Sequence, residues 1–181
     1  MDAIAPQLRT GTLAESARSR RGGHGCHAKL ADGDHDNEEK MAIITCPTCG
    51  AHNRVGPISR GTPRCPRCKS ALPWLVDADA SSFAAETTAS VPVVVDFWAG
   101  WCAPCRMIAP VLQDLAGRHA GHLKVVKLDV DANPELAARF GAQSIPLLVI
   151  IRDGQEVDRV VGALPRAALE QRLQPWLATS A

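Results

Sequence analysis

Apolar and polar positions along the chain fall into three textures, and only the last has the periodicity of a packed domain. Val91–Trp98 (VPVVVDFW) is a continuous, β-branched apolar run, the pattern of a strand buried on both faces. Leu123–Val130 alternates and predicts a second strand, and Leu147–Ile151 a third. Asp153-Gly154 is a hairpin turn signal, so Gln155–Val161 reads as an antiparallel return. Helical spacing runs from about Cys102 to His119, with Pro110 expected to kink it. Asn133 and Pro134 predict a cap and first turn for a short helix that stops before Gly141. A final amphipathic helix runs from near Pro165 towards Trp176. Weaker signals suggest an edge strand at Trp74–Val76 and a first helix over Ser81–Ala89. Residues 74–181 therefore read as one α/β domain.

The other two textures differ. Residues 1–40 are rich in Gly, Ser, Arg, Asp and His and lack periodicity, so they read as a disordered N-terminal extension. The histidines and cysteine at His24, Cys26, His27 and His35 read as solvated tail residues, Cys26 as an unpaired thiol. Residues 41–73 hold Arg54, Arg60, Arg64, Arg67 and Lys69 but no acid, and are too short for a core of their own without a staple.

Composition is that of a globular protein: 46% hydrophobic, 22% charged, formal net charge +1 over 181 residues. Nothing in that balance points to nucleic acid or a membrane surface, and no apolar run approaches the roughly 18 residues of a membrane span. Six of the seven cysteines form C-x-x-C pairs: Cys46/Cys49, Cys65/Cys68 and Cys102/Cys105. The first 25 residues contain no apolar signal-peptide core, so a reducing, cytoplasmic setting is expected, where paired cysteines mean metal or catalysis.

Cys102-Ala103-Pro104-Cys105 sits where the buried strand hands over to a helix. Unpaired N–H groups and the macrodipole at a helix N-terminus favour a thiolate at Cys102. Pro104 suits the first turn, where its missing N–H costs nothing. Asp96, between apolar Val95 and Phe97, reads as a buried carboxylate of raised pKa rather than a solvated strand end. Cys46-x2-Cys49-x15-Cys65-x2-Cys68 has zinc-ribbon spacing, two knuckles closing a tetrahedron around Zn²⁺. His52 is a possible extra ligand, unneeded once four cysteines close a structural site.

Through VVVDFWAGWCAPC at 93–105, Pro110, Lys127, Ser144-Ile145-Pro146 and Val161-Gly162-Ala163, residues 74–181 resemble the thioredoxin family. A preceding ribbon with CPTCGAHNRV at 46–55 is similar to its thioredoxin 2 type. The resemblance implies a thioredoxin fold, a central mixed β-sheet flanked by helices, with a small N-terminal zinc ribbon. It implies a protein disulfide reductase in which Cys102 attacks the substrate disulfide and Cys105 resolves the mixed disulfide. Asp96 would take the Cys105 proton and Lys127 would approach Asp96. Pro146 would be a cis-proline facing the redox pair. Trp101, Ala103, Pro104, Ile145, Pro146, Gly162 and Ala163 would form an apolar rim for substrate, while Phe97 and Trp98 pack inside. Thioredoxin reductase and disulfide-containing proteins are the implied partners, with structural Zn²⁺ and no organic cofactor. Ala103 stands where Gly is usual and Leu147 where Thr is common, which bears on redox poise.

Two other readings use the same residues. A disulfide oxidase or isomerase would need an oxidising compartment. A zinc-ribbon adaptor with a redox-sensitive metal site would have no chemical need for Cys102, Cys105, Asp96 and Pro146 together. The ribbon lacks an aromatic stacking residue, which argues against nucleic acid as its partner. No sequence feature signals an oligomer, so a monomer is expected.

Overall fold

The computed structural model describes residues 41–57 and 61–177. The readings placed on residues 1–40 and on Arg60 lie outside the described residues.

Among the described residues seven strands and four helices follow in order: β1 (Ala42–Thr45), β2 (His52–Val55), β3 (Trp74–Ala78), α1 (Phe83–Thr87), β4 (Val93–Trp98), α2 (Ala103–Arg118), β5 (Lys124–Asp129), α3 (Pro134–Arg139), β6 (Leu147–Arg152), β7 (Gln155–Val161) and α4 (Arg166–Leu177). β1 and β2 form a two-stranded sheet. The other five form one sheet in the order β3-β5-β4-β6-β7. β3 and β4 lie parallel to β5, while β6 is antiparallel to β4 and β7 to β6. This is the mixed sheet the sequence resemblance implies, and β3 is the edge strand expected at Trp74.

Strand alternation sorts the core into two faces. Val94, Val125, Leu148 and Ile150 pack with Ile108, Leu112 and Leu115 of α2 and with Leu169 and Leu173 of α4. Val93, Val95, Phe97, Val126, Leu128 and Val149 share the opposite face with Trp74, Val76 and Phe83. Phe140 meets the rings of both Phe83 and Phe97 at centroid distances of 5.3 Å. The same cluster takes in Ile44, Val55 and Leu72 of the cysteine module, so the module is continuous with the domain core rather than separate from it.

Local chemistry explains the boundaries. Asp153 and Gly154 both have positive φ, 52° and 77°, the conformation a two-residue hairpin needs to match strand twist. α2 runs through Pro110 without interruption; the ring removes only the bond to the Arg106 carbonyl four residues back. Asn133 does not cap α3 with its side chain, as the sequence suggested. Its Oδ1 accepts from the Ala80 N–H at 2.8 Å and its Nδ2 donates to the Asp129 carbonyl at 3.0 Å, tying the start of α1 to the end of β5. α3 therefore starts on Pro134 alone.

The two knuckles of the cysteine module repeat one another. Cys46 N–H donates to Ala51 O and Gly50 N–H to Cys46 O; Cys65 N–H donates to Ser70 O and Lys69 N–H to Cys65 O. Gly50 (φ 71°) and Lys69 (φ 64°) hold the equivalent left-handed position. A non-glycine residue there carries a cost of about 1 kcal/mol, and Lys69 offsets part of it by donating Nζ to the Pro66 carbonyl at 2.9 Å.

Candidate active site and metal centre

Cys102 caps α2 in extended geometry, with its Sγ accepting from the Cys105 N–H at 3.2 Å. That bond and the helix terminus are the stabilisation a thiolate requires. The two cysteines form a disulfide with Cα atoms 5.3 Å apart. Ala99, Trp98, Val130 and Ile145 pack around it.

The expected rim is only partly exposed. Trp101 is 68% accessible, and Ala103 and Ala163 are exposed as well. Pro104, Ile145 and Gly162 are half-buried. The Ile145–Pro146 bond is cis, and Pro146 is buried, so it shapes the rim rather than adding open surface. Its carbonyl accepts from Gly162 N–H at 2.8 Å, joining two sections of the rim that lie far apart in sequence. Leu147 is buried at the start of β6, so that departure from the family pattern alters the interior and not the surface.

Two residues that sequence reading missed hold the nucleophile's loop. Trp101 Nε1 donates to Asp131 Oδ2 at 2.8 Å, and Arg106 Nη1 donates to Gly100 O at 2.8 Å. Asp131 follows β5 and Arg106 follows Cys105, positions with no periodic or spacing signal.

Asp96 stands opposite Lys127 in the parallel β4–β5 register and is only 1% exposed. Its Oδ1 has no partner among the described residues. Burial pushes its carboxyl up to about 7, with the Lys127 charge pulling the other way. Lys127 Nζ lies over the Trp98 ring, 4.3 Å from its centroid, and 3.9 Å from Asp77 Oδ1. Asp96, Trp98, Cys105, Arg106, Ala109 and Lys127 line a cavity of about 80 Å³. That is room for a few waters between the carboxyl, the second sulfur and solvent.

A raised native pKa makes Asp96 a pH-dependent liability. The folded state holds the proton more tightly than the unfolded chain, so stability declines as pH rises from the ordinary carboxylate range through about 7. Asp96→Asn is expected to stabilise the oxidised protein by about 4 kcal/mol at pH 8 and by only about 0.5 kcal/mol at pH 4. Denaturant midpoints at the two pH values check this; an equal gain at both would exclude a titration origin.

The second centre is the cysteine module. The sulfurs of Cys46, Cys49, Cys65 and Cys68 all lie within 4.8 Å of one another, with Cys46–Cys68 at 3.5 Å and Cys49–Cys65 at 3.6 Å. Tetrahedral zinc with Zn–S near 2.3 Å places sulfurs about 3.8 Å apart, so the four fit a metal ion. The Ser70 hydroxyl and N–H draw the Cys68 thiol down to about 6, and the N–H groups of Cys68 and Arg67 lower Cys65. Cys49 is pushed up to about 12, the Ala51 backbone that lowers it being outweighed by burial and the other three sulfurs. His52 is not part of this cluster; its Nδ1 pairs with Thr45 Oγ1 at 3.1 Å.

A helix-capping C-x-x-C disulfide beside a buried carboxylate and a cis-proline defines a dithiol–disulfide oxidoreductase. Residues 75–175 match the family model for thioredoxin. "Thioredoxin 1" of Nostoc sp. is 53% identical over 87 residues, 48% of this chain and 81% of that relative. The thioredoxin of Synechocystis sp. is 48% identical over 109 residues, 60% of this chain and 99% of the relative. The thioredoxin of Mycobacterium tuberculosis is 52% identical over 106 residues, 58% of this chain and 89% of the relative. The chain belongs to the thioredoxin family and is a protein disulfide reductase. The family match begins after the four-cysteine module. Among the described residues no helix is long and apolar enough to cross a membrane.

Proposed function

We propose that the chain is a general reductase of protein disulfides whose turnover runs through Cys102, Cys105 and Asp96. The Cys102 thiolate attacks a substrate disulfide, forming a mixed disulfide and expelling one substrate thiolate. Asp96 takes the Cys105 proton through the water-sized cavity between them. The Cys105 thiolate then attacks the Cys102 sulfur, which closes the Cys102–Cys105 disulfide and releases the second substrate thiolate. A base with pKa near 7 is matched to this step, since it is both ionised and basic at neutral pH. Lys127 opposes the effect of burial on Asp96 and keeps the carboxylate form accessible. The rim of Trp101, Ala103, Pro104, Ile145, Gly162 and Ala163, shaped by Pro146, receives an extended substrate segment.

The observation that carries this reading is the cavity joining Asp96 to Cys105. The disulfide is recharged by a flavin- and NADPH-dependent thioredoxin reductase in the cytoplasm, the chain acting as a monomer without an organic cofactor. The test is NADPH oxidation by that reductase with a disulfide protein as final acceptor. Steady turnover is expected, and none from folded, metal-loaded chain would overturn the reading.

Residues 41–73 form a ribbon that Cys46, Cys49, Cys65 and Cys68 close around a structural Zn²⁺, with residues 74–181 as the reductase domain. The sulfur spacing supports zinc, and the shared core supports a structural role. Elemental analysis is expected to find one zinc per chain, lost in Cys65→Ser together with hydrogen-exchange protection in β1 and β2. Retained zinc in that variant would exclude the four-cysteine site.

A further inference from the structure

Lys127 has two carboxylates within its reach and touches one of them. Parallel pairing sets Asp77, Lys127 and Asp96 side by side across β3, β5 and β4. Strand alternation turns all three towards the face of Leu75, Val125 and Val94, which α2 covers. Neighbouring strands lie about 4.8 Å apart, less than the reach of a four-carbon lysine stem, so the ammonium has access to either side. Its Nζ stands 3.9 Å from Asp77 Oδ1 and 4.3 Å from the centroid of the Trp98 ring. Asp96 Oδ1 has no partner among the described residues, and Lys127 acts on that carboxyl by charge across a gap, without a hydrogen bond.

Solvation explains the choice. Asp96 is 1% exposed, so pairing with it would strip the ammonium of water. The Asp77 side chain is 80% exposed and leaves the cation wet. Trp98, two residues after Asp96 on the same strand face, offers an indole face that attracts a cation without stripping all its water. The other charged groups around the cavity are already placed. Arg106, facing Asp96 from α2, donates Nη1 to Gly100 O at 2.8 Å. Asp129, opposite Trp98 in the β4–β5 register, accepts from the Asp131 N–H at 2.9 Å. Cys105 is held in the disulfide, and Leu148 meets Asp96 from β6 as an apolar residue. Lys127 is thus the movable cation of the cavity lining.

We propose that Asp77 and Trp98 are positioning residues that hold the Lys127 ammonium off Asp96 and so keep the cavity between Asp96 and Cys105 open to water. Without that mount the ammonium closes on the carboxylate. It then occupies part of a cavity of only about 80 Å³. It also holds the carboxylate ionised, which makes it a poorer proton acceptor at neutral pH. The kinetic consequence rests on the reading of Asp96 as acceptor of the Cys105 proton; the placement of Lys127 does not.

The test is an NMR titration of the Asp96 carboxyl carbon in the oxidised full chain. Asp77→Asn is expected to move the midpoint to lower pH by about half a unit and Trp98→Leu by about one unit. Asp77→Glu, which keeps the charge, should hold the parent midpoint. In a Lys127→Met background both shifts should fall about threefold or more, because the cation they act through is gone. An unmoved midpoint in Asp77→Asn would overturn the proposal; that exposed substitution decides the matter even where Trp98→Leu fails to fold. Shifts of equal size with and without Lys127 would overturn it as well, showing a direct charge effect or entry of solvent. The pH profile of mixed-disulfide resolution is then recorded on the same variants. A profile that follows the Asp96 midpoint upholds both readings. A midpoint that moves while the profile stays upholds the mount and removes Asp96 from the proton transfer.

Discussion

Serine in place of Cys102 is expected to bring NADPH-coupled turnover down to background while the fold survives. The hydroxyl that replaces the sulfur has no anionic form at neutral pH, so the helix N-terminus and the Cys105 N–H have no nucleophile to stabilise. Little stability is at stake, because a disulfide closing so short a loop removes little entropy from the unfolded chain. Serine at Cys105 has a different signature. Attack by Cys102 proceeds, but no second sulfur releases the substrate, so a mixed disulfide accumulates and appears by mass spectrometry as a reducible adduct. Turnover that persisted in Cys102→Ser, or an adduct on Cys105 instead, would reverse the assigned roles.

Lys124→Met is expected to cost about 3–5 kcal/mol of stability at neutral pH, through a contact remote from the redox pair in sequence. Lys124 is 0% exposed; its Nζ donates to Glu86 Oε2 at 2.5 Å and stands 4.4 Å from the Trp74 ring centroid. Burial lowers the lysine pKa while the Glu86 contact raises it. Methionine fills similar volume but leaves the Glu86 carboxylate buried without its cation. Most of the loss should return in Lys124→Met/Glu86→Leu, where no uncompensated charge remains. It should also shrink at acid pH, where a carboxyl can be buried neutral. Chemical denaturation of the two variants at pH 5 and pH 8 checks both points; a double variant as unstable as the single would show that packing, not charge, is at issue.

The Lys124–Glu86 pair also marks where sequence reading stopped. Val93–Trp98 and Leu147–Arg152 were legible because strands buried on both faces need unbroken apolar runs. The C-x-x-C pairs were legible because sulfur chemistry restricts their spacing, and Asp96 because a lone acid among valines has few explanations. Lys124 looked like the polar half of an alternating strand. Its burial depends on a glutamate 38 residues away, which no local pattern encodes. Asp131 and Arg106 escaped for the same reason, being defined by the partners they reach across the fold. Asn133 shows the converse: its residue type fits a helix cap, but tertiary partners claimed the side chain.

The ribbon's share in the domain core makes the domain depend on it for cover. Relatives such as the Synechocystis thioredoxin match this chain over nearly their whole length, and the thioredoxin family model covers residues 75–175, after the ribbon. Ile44, Val55 and Leu72 now share one cluster with Trp74, Val76 and Phe83, and β1 touches β3. Deleting the ribbon would open an apolar face that the remaining sequence has no reason to keep water-compatible. The two parts are therefore tied by packing: each large apolar residue beneath the module adds to the surface that its removal would expose.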